Sequence, residues 1–351
     1  MDTLNNFLLL SSISLLSFVL TFLLKEYFLS KNILVIPDLR SSHKNPKPQG
    51  GGLAIILSLC ISLLFFYFFN LIEKEEFMFF LIPGILVALI SFIDDLSEVK
   101  PSTRMLVHIF SALGGLYFIG GFNSLSFFNQ NIEIGLWGYL LGSIYIVWMI
   151  NLYNFMDGID GLASLEAIFI FIIFSIFAYF ILSDPSLTFV LISIAASVFG
   201  FLLLNFPKSS IILGDVGSCF LGIVIALISI KTSQLKPELF WCWMILLGVF
   251  LVDSTYTLIV RMIRKEKFYL PHSLHAYQKL SRILNSHSKA TLILLSVNIF
   301  WLTPIAFLVA FKKIDGLLSL LVSYVPLIFL VYYLKAGVPE IETKKEESEF
   351  S

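Results

Sequence analysis

The feature that most constrains this chain is a succession of apolar runs, each close to the length that crosses a bilayer. A bilayer core needs about 20 apolar residues per helix, and such runs alternate with polar loops along the 351 residues. Apolar residues make up 58% of the chain and charged residues 13%, more apolar surface than a soluble domain of this length can bury. We therefore predict an all-α, polytopic membrane helix bundle. The eleven predicted spans are 6–29, 53–70, 77–93, 105–121, 136–151, 163–183, 186–205, 211–230, 239–260, 290–311 and 316–334.

Charge placement predicts the orientation of the bundle. Lysine and arginine gather in cytoplasmic loops of membrane proteins, and 18 of the 23 basic residues fall in the odd-numbered loops and the C-terminal tail. The N-terminus is therefore predicted outside and the C-terminus in the cytoplasm. We interpret 1–338 as a single transmembrane catalytic domain and 339–351 as a charged, disordered cytoplasmic tail. The 24 acidic residues nearly cancel the basic ones, which gives no indication of a nucleic-acid partner.

Five polar motifs interrupt the apolar pattern, and each lies in or beside an odd-numbered loop. The motifs are 37–44 with Gly50 to Gly52, Asp94 with Asp95, 151–161, 214–218 and 272–275. Their shared side predicts one site that faces the cytoplasm.

The acidic motifs suit a divalent cation. Two adjacent carboxylates, Asp94 and Asp95, follow the third span. Removing such a pair from water is costly unless a cation binds to it. Asn154, Asp157 and Asp160 recur every three residues, which in a helix would align them on one face, but Gly158 and Gly161 favour irregular backbone that a ligand can approach closely. Oxygen ligands of this kind suit Mg²⁺ together with substrate phosphates. The alternatives are interfacial anchors for the pair and a turn without a ligand for the triplet.

Two further segments have competing interpretations. Asp215, flanked by Gly214 and Gly217, is either a second cation ligand or the N-cap of the eighth span. After Pro271 we predict a helix whose cationic face carries His275, Lys279 and Arg282, while Tyr277, Leu280 and Leu284 lie in lipid. That helix would either contact substrate phosphate or merely hold anionic headgroups. Carboxylates, glycine-bearing loops and basic residues together indicate phosphoryl transfer.

The motifs resemble those of the polyprenyl-phosphate N-acetylhexosamine-1-phosphate transferases, the superfamily that includes the MraY and WecA enzymes. The resemblance extends from Pro37 to Gln278 and is most specific at 151–163 and 214–218. The sequence 272–278 looks like the branch that initiates O-antigen or other surface polysaccharides. That branch usually has basic residues at the positions of Ser210 and Ser273, for which Lys208 and Lys279 could substitute.

The resemblance implies a function. Such enzymes transfer N-acetylhexosamine 1-phosphate, or a deoxy or amino derivative, from a UDP-sugar to undecaprenyl phosphate and release UMP, with Mg²⁺ or Mn²⁺ as cofactor. We therefore expect a bacterial cytoplasmic (inner) membrane protein with membrane lipids as its surroundings, and a homodimer remains an open alternative. The sequence does not specify the sugar.

The resemblance also implies residue roles. The expected catalytic residues are Asp94, Asp95, Asp215 and His275. The expected metal ligands are Asp215 and Asn154. The expected substrate-binding residues are Arg40, His43, Lys44, Asn151, Asp157, Asp160, Gly217, Ser218 and His272.

Three rival functions remain open on the sequence alone. A proton-coupled transporter also contains intramembrane acids, but it places them near the midplane rather than at one interface. A CDP-alcohol phosphatidyltransferase uses Asp-Gly and magnesium, but its motif needs further aspartates at helical spacing, and 162–178 contains none. A non-catalytic scaffold for polysaccharide assembly would release no UMP.

Overall fold

The structure is a computed structural model that describes residues 3–36, 46–128, 130–267 and 272–339. Helices dominate it, and the prediction of an all-α polytopic membrane bundle is confirmed. The helices are α1 (Thr3–Ser30), α2 (Gly52–Phe68), α3 (Lys74–Leu96), α4 (Pro101–Ile119), α5 (Trp137–Phe155), α6 (Leu162–Phe177), α7 (Pro185–Asn205), α8 (Gly214–Leu235), α9 (Glu238–Leu246), α10 (Gly248–Ile263), α11 (Ala276–Ile283), α12 (His287–Val297), α13 (Thr303–Ala310) and α14 (Gly316–Tyr333). π-Helical turns extend α6 through Ala178–Leu182 and join α12 to α13 through Asn298–Leu302.

Each of the eleven predicted spans coincides with a helix or with a pair of consecutive helices. Within the described residues, eight helical segments are long and apolar enough to cross a membrane, and a ninth is added if the bent pair of α9 and α10 counts as one span. The helices α2 and α5 coincide with predicted spans but are not among these segments. The number of eleven spans and the orientation therefore stay predictions.

The ninth predicted span is wrong in one respect, because it is broken. Helices α9 and α10 meet at Leu247 with a bend of 71°. Helix α14 packs tightly beside the break, where a Cβ atom on Gly248 would lie 3.1 Å from Leu327 and Tyr324. The Tyr324 hydroxyl donates to the Met244 carbonyl at 2.7 Å. The neighbouring helix thus supplies a partner for backbone at the bend, as broken helices in membranes require.

Helix α8 is the centre of the bundle. An 18-residue stretch of it is 94% buried, whereas the corresponding stretch of α1 is 17% buried. It packs against α2, α3, α4 and α5. The approach to α2 is close, since a Cβ atom on Gly52 would lie 2.2 Å from the α-carbon of Gly217. Two glycines therefore allow these helices to cross near their N-termini, as small residues do between membrane helices.

Two short antiparallel pairs of strands lie at opposite ends of the bundle. Strands β1 (Leu34–Val35) and β2 (Lys47–Pro48) form one pair, and strands β3 (Ser124–Phe127) and β4 (Gln130–Glu133) form the other. The chain after β2 runs beside the residues before α8, where the Gly51 amide donates to the Ile212 carbonyl at 2.9 Å. This contact brings the first polar loop to the end of the bundle at which α3 ends and α8 begins.

Polar contacts join the elements at one end of the bundle and in its interior. At the β3–β4 end, the Trp241 indole donates to the Ser126 carbonyl at 2.5 Å, and Lys312 lies 3.1 Å from Glu238. Inside the bundle, the Asn298 amide donates to the buried Glu166 carboxyl and joins the π-helical turn to α6. Such contacts stabilise the packing of membrane helices, because the hydrophobic effect does not drive helices together in lipid.

The predicted orientation can be tested by cysteine labelling. Glu98, between α3 and α4, and Glu133, on β4, are exposed and lie at opposite ends of the bundle. We expect an impermeant thiol probe to reach Glu98→Cys only from the cytoplasmic side and Glu133→Cys only from outside, as the charge asymmetry predicts. The half-buried Cys60 is replaced by serine in both variants, and the parent with Cys219 and Cys242 buried is the control. Labelling of Glu98→Cys from outside alone would overturn the orientation.

Candidate functional site

The site begins with two carboxylates in the last turn of α3. Asp95 Oδ1 accepts the Asp215 amide at 3.0 Å, and Asp95 Oδ2 accepts the Val216 amide at 3.1 Å. The side-chain amide of Gln49 also donates to Asp95. Asp95 therefore caps the N-terminus of α8, where unpaired amides and the helix dipole favour a negative charge. The interpretation of Asp215 as the N-cap of this helix is wrong, because Leu213 occupies the N-cap position and Asp215 lies within the first turn.

Gly214 makes this cap possible. Its φ of +80° lies in the left-handed region, and a Cβ atom there would approach Asp95 Oδ2 to 2.7 Å. A side chain at this position would be strained and would push the Asp95 carboxylate away. The glycine before Asp215 is thus required by the backbone and by the close approach of Asp95.

The second carboxylate of α3 orients a guanidinium. Asp94 accepts the Val99 amide at 2.8 Å and pairs with Arg104, in the first turn of α4. Arg104 Nη1 also lies 3.4 Å from Asp215 Oδ2. Sequence reasoning did not single out Arg104. Its position nine residues after Asp95, just after the Pro101 that starts α4, was the available signal.

Asn154 reaches the same place from the end of α5. Its amide nitrogen donates to Asp215 Oδ2 at 3.3 Å, and its amide oxygen accepts the Ser218 hydroxyl at 2.8 Å. Ser218 also contacts the Gly214 carbonyl at 3.1 Å. Because a hydroxyl can donate or accept, Ser218 can satisfy either end of the Asn154 amide.

Asp157 completes a group of four carboxylates. It lies in the loop between α5 and α6, as the irregular-backbone interpretation predicted, and it accepts a hydrogen bond from the Gly214 backbone. Burial raises the pKa of Asp157 well above its ordinary value, and neighbouring carboxylates, first that of Asp215, raise it further. We call Asp94, Asp95, Asp157 and Asp215 the aspartate centre.

The aspartate centre has more carboxyl groups than cationic partners. Among the described residues, Arg104 is the cation that forms ion pairs with it, so one positive charge faces four carboxyl groups. No group of three or more His, Cys, Asp or Glu side chains in the described ranges converges as a metal cage. Mg²⁺ does not need such a cage, since it usually takes one or two carboxylates and completes its shell with water and phosphates. The chemistry of the donor set therefore fits a magnesium ion bound together with a substrate.

Asp160 lies beside the aspartate centre with basic partners of its own. Its carboxylate is 3.4 Å from Lys47 Nζ and 3.3 Å from His287 Nδ1. The two basic groups come from β2 and from the first residue of α12. His287 was not predicted as a site residue, and nothing in its local sequence distinguishes it from an ordinary helix start.

The late histidines form a cluster with a residue that sequence reasoning missed. Asp253, buried in α10, accepts the backbone amides of Ala276 and Tyr277 at 2.9 Å each. His275 Nδ1 lies 3.3 Å from the same carboxylate, and its ring stacks on His272 at 4.9 Å. Burial, and then His275 and Arg261, lower the pKa of His272 to about 3. His272 is therefore neutral near pH 7 and can offer hydrogen bonds but no positive charge.

The surroundings of the two faces of helix α11 differ from the prediction. It begins after His275, and Tyr277 and Lys279 are buried. The Tyr277 hydroxyl donates to the Phe155 carbonyl at 2.9 Å, and Lys279 Nζ donates to the Val338 carbonyl at 2.7 Å. The amphipathic pattern was correct, but Tyr277, predicted to lie in lipid, meets the end of α5, and Lys279, on the cationic face, meets the residues after α14, while Arg282 is exposed. Lys279 is held by the Lys335 and Val338 carbonyls, so the suggestion that it substitutes for a lost phosphate-binding cation is wrong.

The remaining predicted residues are dispersed. Gly217 packs against Gly52, and Asn151 lies one turn before the end of α5. Arg40, His43, Lys44 and Pro271 fall outside the described residues, as does the tail from residue 340 onward. The structure thus brings Asp94, Asp95, Asn154, Asp157, Asp215 and Ser218 together, and it places Asp160 and the histidines around them.

An apolar groove of about 530 Å³ leads away from the aspartate centre between α4 and α5. Arg104 and Phe155 line it at the end near the centre, and Leu140 lies toward the start of α5. The α5 residues in its wall recur every three or four positions, which places them on one helix face. They are Leu140, Ser143, Ile144, Val147, Trp148, Asn151 and Phe155. At 1.5 Å per residue this face is about 22 Å long.

The fold and the site place the chain among polytopic membrane proteins with an acidic site at one end of the helix bundle. Residues 77–233 match the family model described as glycosyl transferase family 4. This is the family of MraY/WecA-like polyprenyl-phosphate hexose-1-phosphate transferases, and the match confirms the resemblance of the motifs. No curated protein matches the chain significantly. The match extends from α3 to α8 and so includes the whole aspartate centre, Asn154 and Asp160.

The role of Asp253 gives a prediction. Asp253→Asn replaces one of the two carboxylate oxygens by an amide nitrogen. That nitrogen cannot accept a hydrogen bond, so one of the two backbone amides of α11 loses its partner. We expect a loss of about 2–3 kcal/mol in stability, because a charged acceptor and its partners are buried, and faster trypsin cleavage between Arg261 and Arg282. Thermal unfolding and timed proteolysis measure both effects.

Thr257→Val is the matched control for this substitution. It removes one hydroxyl donor to Asp253, at 3.1 Å, and leaves the two backbone bonds in place. It should cause a smaller loss of stability and normal proteolysis. If Asp253→Asn were as stable and as resistant as the wild type, Asp253 would not hold α11.

Proposed function

We propose that the protein transfers N-acetylhexosamine 1-phosphate, or a deoxy or amino derivative, from a UDP-sugar to undecaprenyl phosphate. The family supports a polyprenyl-phosphate sugar-1-phosphate transferase in general, with a nucleotide sugar and a polyprenyl phosphate lipid as its substrates. The particular sugar donor, the C55 acceptor and a role in starting O-antigen or another surface polysaccharide belong to the proposal. So do the bacterial cytoplasmic membrane and a site that faces the cytoplasm.

One observation carries the proposal: the aspartate centre lies at the mouth of a long apolar groove. Arg104 belongs to both, since it pairs with Asp94 and Asp215 and also lines the groove. Several groove residues, including Met105 and Ile144, are exposed on the outside of the bundle, where a lipid chain could reach them. A lipid phosphate fits this arrangement, because its chain can lie in the groove while its phosphate meets the guanidinium.

Asp215 and Asn154 are the residues that would hold Mg²⁺. Asp215 supplies a half-buried carboxylate, and the Asn154 amide lies 3.3 Å from it. When bound, magnesium or manganese offsets the negative charge of the donor pyrophosphate. Asp157 lies next to the same carboxylate, and burial and Asp215 raise its pKa. Protonation of Asp157 would lower the negative charge of the centre.

The reaction proceeds by direct attack of the acceptor. An oxygen of the lipid phosphate forms a bond to the sugar-bearing β-phosphorus, the bond from that phosphorus to the bridging oxygen breaks, and UMP leaves with that oxygen. A phosphate monoester has a second pKa near 6, so the acceptor is already largely dianionic at neutral pH and needs no strong base. No covalent intermediate is required.

The hydrogen bonds of the aspartate pair support direct attack. Both Asp95 oxygens already accept backbone amides of α8, and both Asp94 oxygens accept from Val99 or Arg104. A carboxylate held in this way is a weaker nucleophile than a free one, because attack would cost these hydrogen bonds. Asp94 and Asp95 are therefore proposed to position Arg104 and α8.

The proposed reaction gives a direct expectation for the purified protein. Undecaprenyl phosphate, Mg²⁺ and a panel of UDP-N-acetyl sugars should yield UMP and a lipid whose mass has increased by one sugar phosphate. Without acceptor, enzyme stripped of lipid should release no UMP. A burst of UMP equal to the enzyme concentration, with sugar phosphate retained on the protein, would refute direct attack. Absence of UMP with every donor would refute the transferase proposal.

Asp215→Asn tests the proposed metal role. Loss of the anionic ligand should lower the transfer rate on the order of 100-fold, the range seen when one electrostatic contact to a reacting group is removed. Glu133→Gln makes the same change of carboxylate to amide on the exposed β4 strand at the opposite end, and it should retain full activity. Near-normal turnover of Asp215→Asn at saturating Mg²⁺, in a variant that unfolds at the wild-type temperature, would contradict the metal role.

A further inference from the structure

A buried histidine in α4 has no hydrogen-bond partner. His108 is 2% exposed, and neither of its ring nitrogens bonds to any group among the described residues. Since both nitrogens lack a partner, the observation does not depend on ring orientation or tautomer. His108 also lines the apolar groove.

An unpartnered buried imidazole is unfavourable in the protein alone. A buried polar group without a hydrogen bond loses its hydration and gains nothing in return, and native structures satisfy the large majority of such groups. An apolar side chain would suit this part of the groove wall better. The presence of histidine here therefore indicates a ligand that completes its hydrogen bonding.

The position of His108 indicates which part of a ligand it meets. It follows Arg104 by four residues, so the two side chains are neighbours on one helix face, about 6 Å apart along the axis. Helical side chains lean toward the N-terminus of their helix, and the N-terminus of α4 is the end at the aspartate centre. The imidazole is close enough to Arg104 and Asp94 for electrostatic interaction with both. It thus faces the junction between the charged centre and the apolar groove.

We propose that His108 binds the phosphate end of the polyprenyl phosphate acceptor by donating a hydrogen bond to one of its oxygens, and so positions the acceptor beside Arg104. A neutral imidazole has one N–H donor, which matches an acceptor-only phosphate oxygen. The inference rests on the proposed transferase function, because it takes the groove as the acceptor site. It assigns the selection of a phosphorylated lipid over its alcohol to a residue inside the groove.

The test compares His108→Leu and His108→Gln with the wild type. Leucine fills much of the space without a donor, and glutamine restores one. We expect His108→Leu to raise the KM for undecaprenyl phosphate about 10- to 100-fold, as expected for a hydrogen bond to a charged group, with the KM for the UDP-sugar unchanged. His108→Gln should recover most of the acceptor affinity. The unchanged donor KM separates the lipid phosphate from the donor pyrophosphate.

Direct binding distinguishes recognition of phosphate from packing. Native mass spectrometry of the intact protein with undecaprenyl phosphate or with undecaprenol measures both affinities. His108→Leu should lose affinity for the phosphate by the same factor and retain affinity for the alcohol. An equal loss for both lipids, or no loss for the phosphate, would overturn the proposal.

Ser111→Ala is the matched control. Ser111 is also buried in α4, and its hydroxyl likewise has no partner among the described residues, but it does not line the groove. This variant should keep the wild-type acceptor KM, and an effect as large as that of His108→Leu would overturn the proposal. If the wild type releases no UMP, the transferase function fails, while the binding comparison still tests His108.

Discussion

The capping of α8 by Asp95 is the interaction on which the rest of the site depends. One carboxylate from the last turn of α3 accepts two amides in the first turn of α8, the most buried of the eight candidate membrane spans. The bond fixes the start of α8 relative to α3, and it thereby sets where the Asp215 side chain lies. Arg104 and Asn154, from α4 and α5, then meet at Asp215. Four helices are thus brought to one point through a single helix terminus.

The sequence was sufficient to predict the architecture because a membrane leaves few choices. Backbone groups in hydrocarbon must be paired internally, so an apolar run of about 20 residues predicts a helix with little ambiguity. The break at Leu247 escaped this reasoning. Its cause is the close packing of Tyr324 and Leu327 beside Gly248, a contact between segments far apart in the sequence, which hydropathy does not record.

The acidic part of the site was also predictable, since paired aspartates, and aspartates next to glycines, stand out at the ends of apolar runs. The partners of these aspartates were harder to predict. Arg104, Asp253 and His108 each lie inside a helix with ordinary neighbours in the sequence, and their importance comes from the helices packed against them. The amphipathic pattern of α11 was recognised, but hydropathy cannot distinguish a polar face that meets water from one that meets helix ends. That difference explains the incorrect placement of Lys279.

The exposure of the apolar groove on the side of the bundle has a kinetic consequence for the proposed lipid acceptor. An occupant that enters between α4 and α5 arrives by lateral diffusion within one leaflet, and it never has to leave the hydrocarbon. Its encounter rate then depends on its mole fraction in the membrane, and diluting the membrane with other lipids lowers that rate even when the total amount in the sample is constant. A water-soluble ligand of the aspartate centre responds instead to volume concentration. The groove therefore meets its ligand by diffusion in the plane of the membrane, and the aspartate centre meets its ligand by diffusion in the surrounding water.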